Sequence, residues 1–223
     1  MKPIVFNTEM VEAILDGRRS QFRKAIKFGE YIYDIMNENC IEVSKNYCDM
    51  DKENHPELKK EMIKHSKYQV NDIIYVKETF LEGYIESGYD TPHEDDYGIF
   101  NGDNGVIIYK ADHVDNTYFN NLDAEDREDR PTWKPSIHMP KEYSRIFLKV
   151  NNVRVERLRD ITYEDKIKEG ILCDGEIGTR SHIDDVEESW YNLWNKTAKQ
   201  GYKWEDNPYV FVYEFEIAKK SIK

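Results

Sequence analysis

The sequence predicts an α+β fold built around a mostly antiparallel or closed sheet. Three observations carry that expectation. Stretches with strand periodicity recur along the chain, in IIYVKE, GVIIYKAD, IFLKV and PYVFVYEFEI. Helix-period stretches are few and lie far apart. Hydrophobic residues form 39% of the 223, with 16 Tyr, which is enough apolar surface to build a modest core.

The elements follow in order. KPIVF, residues 2–6, is a short apolar run that ends at Asn7-Thr8, two good helix caps. Met10, Val11, Ile14 and Leu15 then recur at helical spacing, and Gly17 reads as the stop. Residues 17–24, GRRSQFRK, hold Arg18, Arg19, Arg23 and Lys24. The dipole at a helix C-terminus favours cations and accounts for part of this basic knot. Residues 31–67 read as an insertion rich in Asn, Asp, Glu and Lys, with a helix opened by Pro56. Val70-Asn71-Asp72 reads as a turn before the strand IIYVKE, whose alternation puts Ile74, Val76 and Glu78 on one face. A carboxylate in line with two core residues needs a partner or a function, unless the strand ends there and it reaches water.

Residues 82–104 are acidic and carry several glycines, which predicts a loop or loose hairpin; 105–112 form another strand, and 113–131 are irregular. Pro135 and Pro140 stiffen the loop WKPSIHMP and exclude helix between them. Ile146, Leu148 and Val150 alternate as a strand that Val153 and Val155 continue. Thr162 caps a short helix with Asp165 at its third position and Gly170 at its end. Val186, Trp190, Leu193, Trp194 and Thr197 mark one stripe of a helix that starts at Asp184-Asp185 and closes at Gly201; such a stripe reads as core. In the last strand Tyr209, Phe211, Tyr213, Phe215 and Ile217 form one strongly apolar face.

Charge narrows the function. Asp plus Glu number 44 against 32 Lys plus Arg, a formal net charge of -12. Such a chain repels duplex DNA and is not expected to coat it, but one positive pocket leaves room for a short nucleotide. The N-terminus shows no secretory leader, and no run approaches the roughly 20 apolar residues of a membrane span. A cytoplasmic protein with reduced thiols and no membrane partner is expected. Cys40, Cys48, His55 and His65 do not have the tight pairwise spacing of a zinc site, and no metal or cofactor is expected.

Three blocks, MKPIVFNTEMVEAILDGRRS, YQVNDIIYVKETF and WKPSIHMPKEYSRIFLKV, resemble the ASCH domain family within the PUA-like fold. The resemblance is strongest to phage- and prophage-encoded members labelled morphogenetic proteins. With the helix at 160–171 and the last strand, it covers a little over half the chain. It implies one domain over 1–223: a small β-barrel flanked by helices, a cleft at its mouth, and long insertions near 31–67, 82–131 and 172–203. Relatives in the wider fold bind RNA or modified bases. One ASCH branch removes an acyl group from a modified cytidine, using the Lys and Thr of a G-x-K-x-x-T-x-R motif and a Glu on a following strand.

Laid on this chain, the motif keeps Gly17, puts Arg19 at the Lys position, Phe22 at the Thr position and Lys24 at the final Arg position, with Glu78 of VKET at the Glu position. Arg19 stays protonated near neutral pH, and Phe22 has no hydroxyl. Ser20 lies two residues short of the Thr position. The resemblance therefore implies binding rather than cleavage, of a small nucleotide, a modified nucleoside or a short single-stranded nucleic acid. Arg19, Arg23 and Lys24 are the candidates for phosphate, with Arg18 and Ser20 as neighbouring ligand contacts, and Phe22 or Trp133 for stacking, worth ~1–3 kcal/mol per base. Glu78 is the candidate for a base amino group, with Lys134, Ser136 and His138 as further contacts. The competing reading makes Phe22 core, pairs the arginines with the abundant acids, and makes the Trp133 loop a packed lid. Two other functions stay open: an amidohydrolase in which Glu78 activates water, and a phage assembly component.

Overall fold

In the computed structural model, which describes residues 1–27, 56–87, 97–101, 106–112, 132–172 and 179–218, the N-terminus forms as its caps dictate. Lys2–Val5 make β1. The Asn7 side chain accepts a hydrogen bond from the Met10 N–H at 2.8 Å and opens α1, Thr8–Leu15, which buries Val11, Ala13 and Ile14. The chain leaves α1 through Gly17 at φ +74, a left-handed conformation. A Cβ there would meet nothing within 4 Å. Gly17→Ala is therefore expected to cost about 1 kcal/mol of backbone strain and no clash, read as a drop in urea-unfolding free energy.

Among the described residues the other strands are β2 (Gln21–Ala25), β3 (Ile73–Lys77), β4 (Phe80–Ser87), β5 (Tyr97–Asn101), β6 (Val106–Tyr109), β7 (Phe147–Arg157) and β8 (Tyr209–Ile217). Five of them form a sheet in the order β1-β3-β7-β8-β2, and three form another, β5-β4-β6. β1 pairs with β3 in parallel, whereas β2 pairs with β8 antiparallel, so the first sheet is mixed. The fold is α+β, with no ladder closing the sheet among the described residues.

Among the described residues the remaining α-helices are α2 (Pro56–Lys64), α3 (Tyr163–Lys168) and α4 (Arg180–Thr197). The Thr162 hydroxyl accepts from the Asp165 N–H at 3.1 Å, as its position before α3 requires. α4 begins four residues before Asp184, because the Thr179 side chain accepts from the His182 N–H and acts as the cap. The loop between Pro135 and Pro140 is also more ordered than expected. Ser136–His138 form one 3₁₀ turn, with the His138 N–H donating to the Pro135 carbonyl at 3.0 Å. A proline at the start of such a turn supplies a carbonyl and is asked for no N–H. The segment expected as a loop or hairpin contains the antiparallel pair β4–β5. No helix among the described residues is long and apolar enough to cross a membrane. The expected irregular stretch 113–131 lies outside the described residues, as do Cys40, Cys48 and His55; His65 is exposed, 3.7 Å from Glu61.

The chain divides into two compact units, residues 1–16, 74–148 and 218–223, and residues 17–73 and 149–217. The division falls inside β7, where the buried face changes phase. Leu148 and Val150 are buried, Asn151 and Asn152 are both exposed, and Val153 and Val155 are buried. Two successive exposed residues shift a period-two pattern by one and turn the next side chains to the other face. In the first unit Leu81 packs with Ile108 and Trp133. In the second, Leu158, Ile161, Trp190, Val210 and Val212 form one cluster. Phe22, Tyr68 and Tyr213 form another. Both faces of β8 are buried over its first five residues, not one: Val210 and Val212 pack in the Trp190 cluster, while Tyr213 on the other face packs against Phe22 and Tyr68.

Candidate functional site

The basic knot belongs to the second unit, where β2 divides its side chains between two faces. Phe22 stands opposite Tyr213 in the β2–β8 ladder, and their rings stack at 4.8 Å. Only 3% of Phe22 is exposed, so the expected stacking plate for a base is core. Arg23 points the other way. Its side chain is fully buried and meets three carboxylates: Glu156 at 2.5 Å, Asp165 at 2.8 Å, and Glu169. Arg154 of β7 adds a second guanidinium, bound to Asp165 at 2.7 Å, to Glu156 at 3.0 Å, and to Glu214. Burial alone would raise the pKa of Asp165, but Arg154 and Arg23 overcome it and hold the carboxyl below its usual range.

Arg19 is buried too. It donates to the Glu169 carbonyl at 2.5 Å and lies 3.8 Å from its carboxylate. Burial draws its pKa down, with Glu169 opposing. Arg18 donates to the Gly170 carbonyl at 3.2 Å. Ser20 is exposed, while its backbone is tied to Lys168 and Phe215. Thus Arg19 and Arg23, expected to face phosphate, instead join β2 to α3 and the residue after it. The acid excess of the chain explains why: a guanidinium on a strand flanked by carboxylates is satisfied internally.

Lys24 differs. It lies on the Phe22 face of β2 and is exposed. Partial burial lowers its pKa, and so do Lys67 and Lys27 nearby. Lys67 sits beside the aromatic cluster, its ammonium 5.0 Å from the centre of the Tyr68 ring. Lys24 and Lys27 make no ion pair among the described residues. Three ammonium groups therefore gather at the end of β2 in a chain of net charge -12.

The other expected residues belong to the first unit. Glu78 is 1% exposed and does not reach water. Both of its oxygens are held by the fork of Arg145, each at 3.0 Å. Arg145 also donates to Asp112 at 2.9 Å and lies 3.9 Å above the Tyr109 ring. Burial raises the Glu78 pKa and Arg145 lowers it; the net direction is upward. A carboxylate gripped at both oxygens is not poised to activate water. Trp133 is half-buried against Leu81. Lys134 pairs with Glu82 at 2.8 Å. Ser136 is half-buried and His138 exposed on the 3₁₀ turn.

Sequence reasoning missed Arg145, Arg154, Asp165 and Glu169 as members of these clusters. A signal exists for Arg154: VRVER puts it and Glu156 on one face of a strand between buried valines. For Arg145 there is none, since its tie to Glu78 spans 67 residues. Comparison with protein-family models, curated proteins and solved structures finds no match to this chain.

Proposed function

We propose that the chain binds a small phosphate-bearing ligand, a nucleotide with a plain or modified base or a short single-stranded nucleic acid, through Lys24, Lys27 and Lys67. The observation that carries this reading is the gathering of those three ammonium groups, two of them without an ion pair among the described residues. Like charges placed together repel, and an anion relieves the repulsion. The resemblance to ASCH domains supports the same class of ligand, and the small barrel and cleft it implies belong to this proposal. The grip differs from the one the motif suggests: Arg19 and Arg23 shape β2 from behind and Lys24 meets the phosphate.

Hydrolysis of an acylated cytidine has less support. Arg19 cannot give up a proton near neutrality, Phe22 is core, and Glu78 is clamped by Arg145.

Calorimetric titration with nucleoside mono-, di- and triphosphates and a short oligonucleotide tests the proposal. Affinity should rise with phosphate number and fall with salt, and Lys24→Glu should weaken it at least tenfold, about 1.4 kcal/mol. Absence of heat at millimolar ligand, or unchanged affinity in Lys24→Glu, would sink it.

A further inference from the structure

A pocket lies within the second unit, beside α4. It has a volume of about 320 Å³ and is lined by Asp184, Glu187, Glu188, Trp190, Tyr191 and Trp204. That volume sits at the lower end of small-ligand sites. Asp184, Glu187, Glu188 and Tyr191 stand at i, i+3, i+4 and i+7, so they form one stripe of the helix. Trp204 comes from the turn after α4, where its backbone N–H donates to the Asn195 side-chain oxygen at 2.9 Å. Its ring meets Trp190 at 5.5 Å and 68°, and Tyr191 at 6.4 Å and 78°. Trp190 is buried and stacked on Trp194 at 5.7 Å, and the Tyr191 hydroxyl donates to Glu205 at 2.7 Å. The three rings thus form a braced corner, with carboxylates one helical turn away.

We infer that this corner is a binding site for an organic cation of the alkylammonium type. The lining contains no basic residue, and every group in it favours positive charge. Aromatic faces attract cations through their quadrupole, most strongly when the cation is poorly hydrated. Glu187 is already engaged by the buried Lys166 ammonium. Asp184 and Glu188 make no ion pair among the described residues, and their spacing sets like charges against each other along the helix. A hard metal ion is a poor fit, because it calls for six or more oxygens and gains nothing from indole faces. An anion is repelled. A neutral apolar group would leave the carboxylates unanswered. A cation with an apolar skin answers both the rings and the acids. This site is separate from the lysine cluster and does not depend on it.

The test titrates the full chain with choline, with a peptide carrying trimethyllysine, and with 3,3-dimethylbutan-1-ol, the neutral isostere of choline. Indole N–H resonances and tryptophan fluorescence report binding. Either cation should move the Trp204 indole signal saturably, the tighter one identifying a free or peptide-borne source. The neutral isostere should bind at least fivefold more weakly. Trp204→Leu should abolish the response. Glu188→Gln, on the exposed stripe, should weaken it about threefold with an unchanged circular dichroism spectrum, and this variant decides the matter if Trp204→Leu fails to fold. Equal binding of the isostere, displacement of choline by equimolar Mg²⁺, no saturable shift, or an unaffected Glu188→Gln would overturn the site.

Discussion

Arg23→Met is expected to destabilise the chain by about 3–5 kcal/mol at pH 7, the usual cost of removing one partner from a buried charge pair. The Arg23 side chain has no exposed surface, Glu169 beside it is nearly as buried, and Asp165 and Glu156 keep 12% and 16% of their side chains exposed. Methionine fills much of the volume, so the loss is electrostatic rather than a cavity. Among the described residues Glu169 then keeps only Arg19, at 3.8 Å, while Glu156 and Asp165 fall back on Arg154. Arg23→Lys should recover part of the loss. It restores the charge, but one ammonium cannot span carboxylates that a planar fork reaches from two sides. Urea unfolding of the three proteins measures this, and a Met variant within 1 kcal/mol of the parent contradicts it.

The pH dependence has a defined sign. Asp165 is held below the usual carboxylate range in the folded chain, against about 3.9 unfolded. Its contribution is present above the unfolded pKa and is lost as pH falls through the folded one. In Arg23→Met one of the two guanidinium groups that depress it is gone. The stability gap between parent and variant should therefore narrow on acidification, in the acid range below the ordinary Asp pKa.

Much of this architecture is legible in the residues, and the division is physical. α1, α3 and the strands at Ile74 and Leu148 are declared by caps and short-range periodicity, which act over a few residues. The phase change of β7 is also local, since Asn151-Asn152 interrupts a run of alternating apolar residues. The parallel pairing of β1 with β3 is not local: it sets Lys2 beside Ile74, and no pattern within either segment names the other. The basic knot fails to declare itself for the same reason. Alternation alone separates Phe22 from Arg23, but which of the 44 acids Arg23 meets depends on where α3 lands against β2. Family likeness pointed Phe22 toward a cleft, whereas its place opposite Tyr213 makes it core. Lys24, one residue after Arg23, is exposed on the opposite face of β2, where it has no acid partner among the described residues.

Arg145→Met is expected to cost about 3 kcal/mol at pH 7, and adding Glu78→Gln should return more than half of it. The cost resides in Glu78, because Asp112, the other partner, is 43% exposed and exchanges the guanidinium for water. Glu78 has no such recourse at 1% exposure. Burial already holds its folded pKa above the unfolded value of about 4.3. The folded chain thus binds more protons than the unfolded one in that range, and stability from this group falls as pH rises from the unfolded pKa through the folded one. Removing Arg145 takes away the group that restrains the shift, so the folded pKa climbs further and the decline extends to higher pH. The gap between parent and Arg145→Met should therefore close on acidification above the ordinary Glu range, whereas the Arg23→Met gap closes below the ordinary Asp range. Glu78→Gln in the Arg145→Met background should flatten the added slope, because an amide does not titrate. If the slope persists in the double variant, some group other than Glu78 carries the charge penalty; if Arg145→Met has the slope of the parent, the clamp does not govern Glu78. Either result would reopen Glu78 as a carboxylate free to act on a ligand, so the cycle also decides whether this unit holds a structural ion pair or a latent acid.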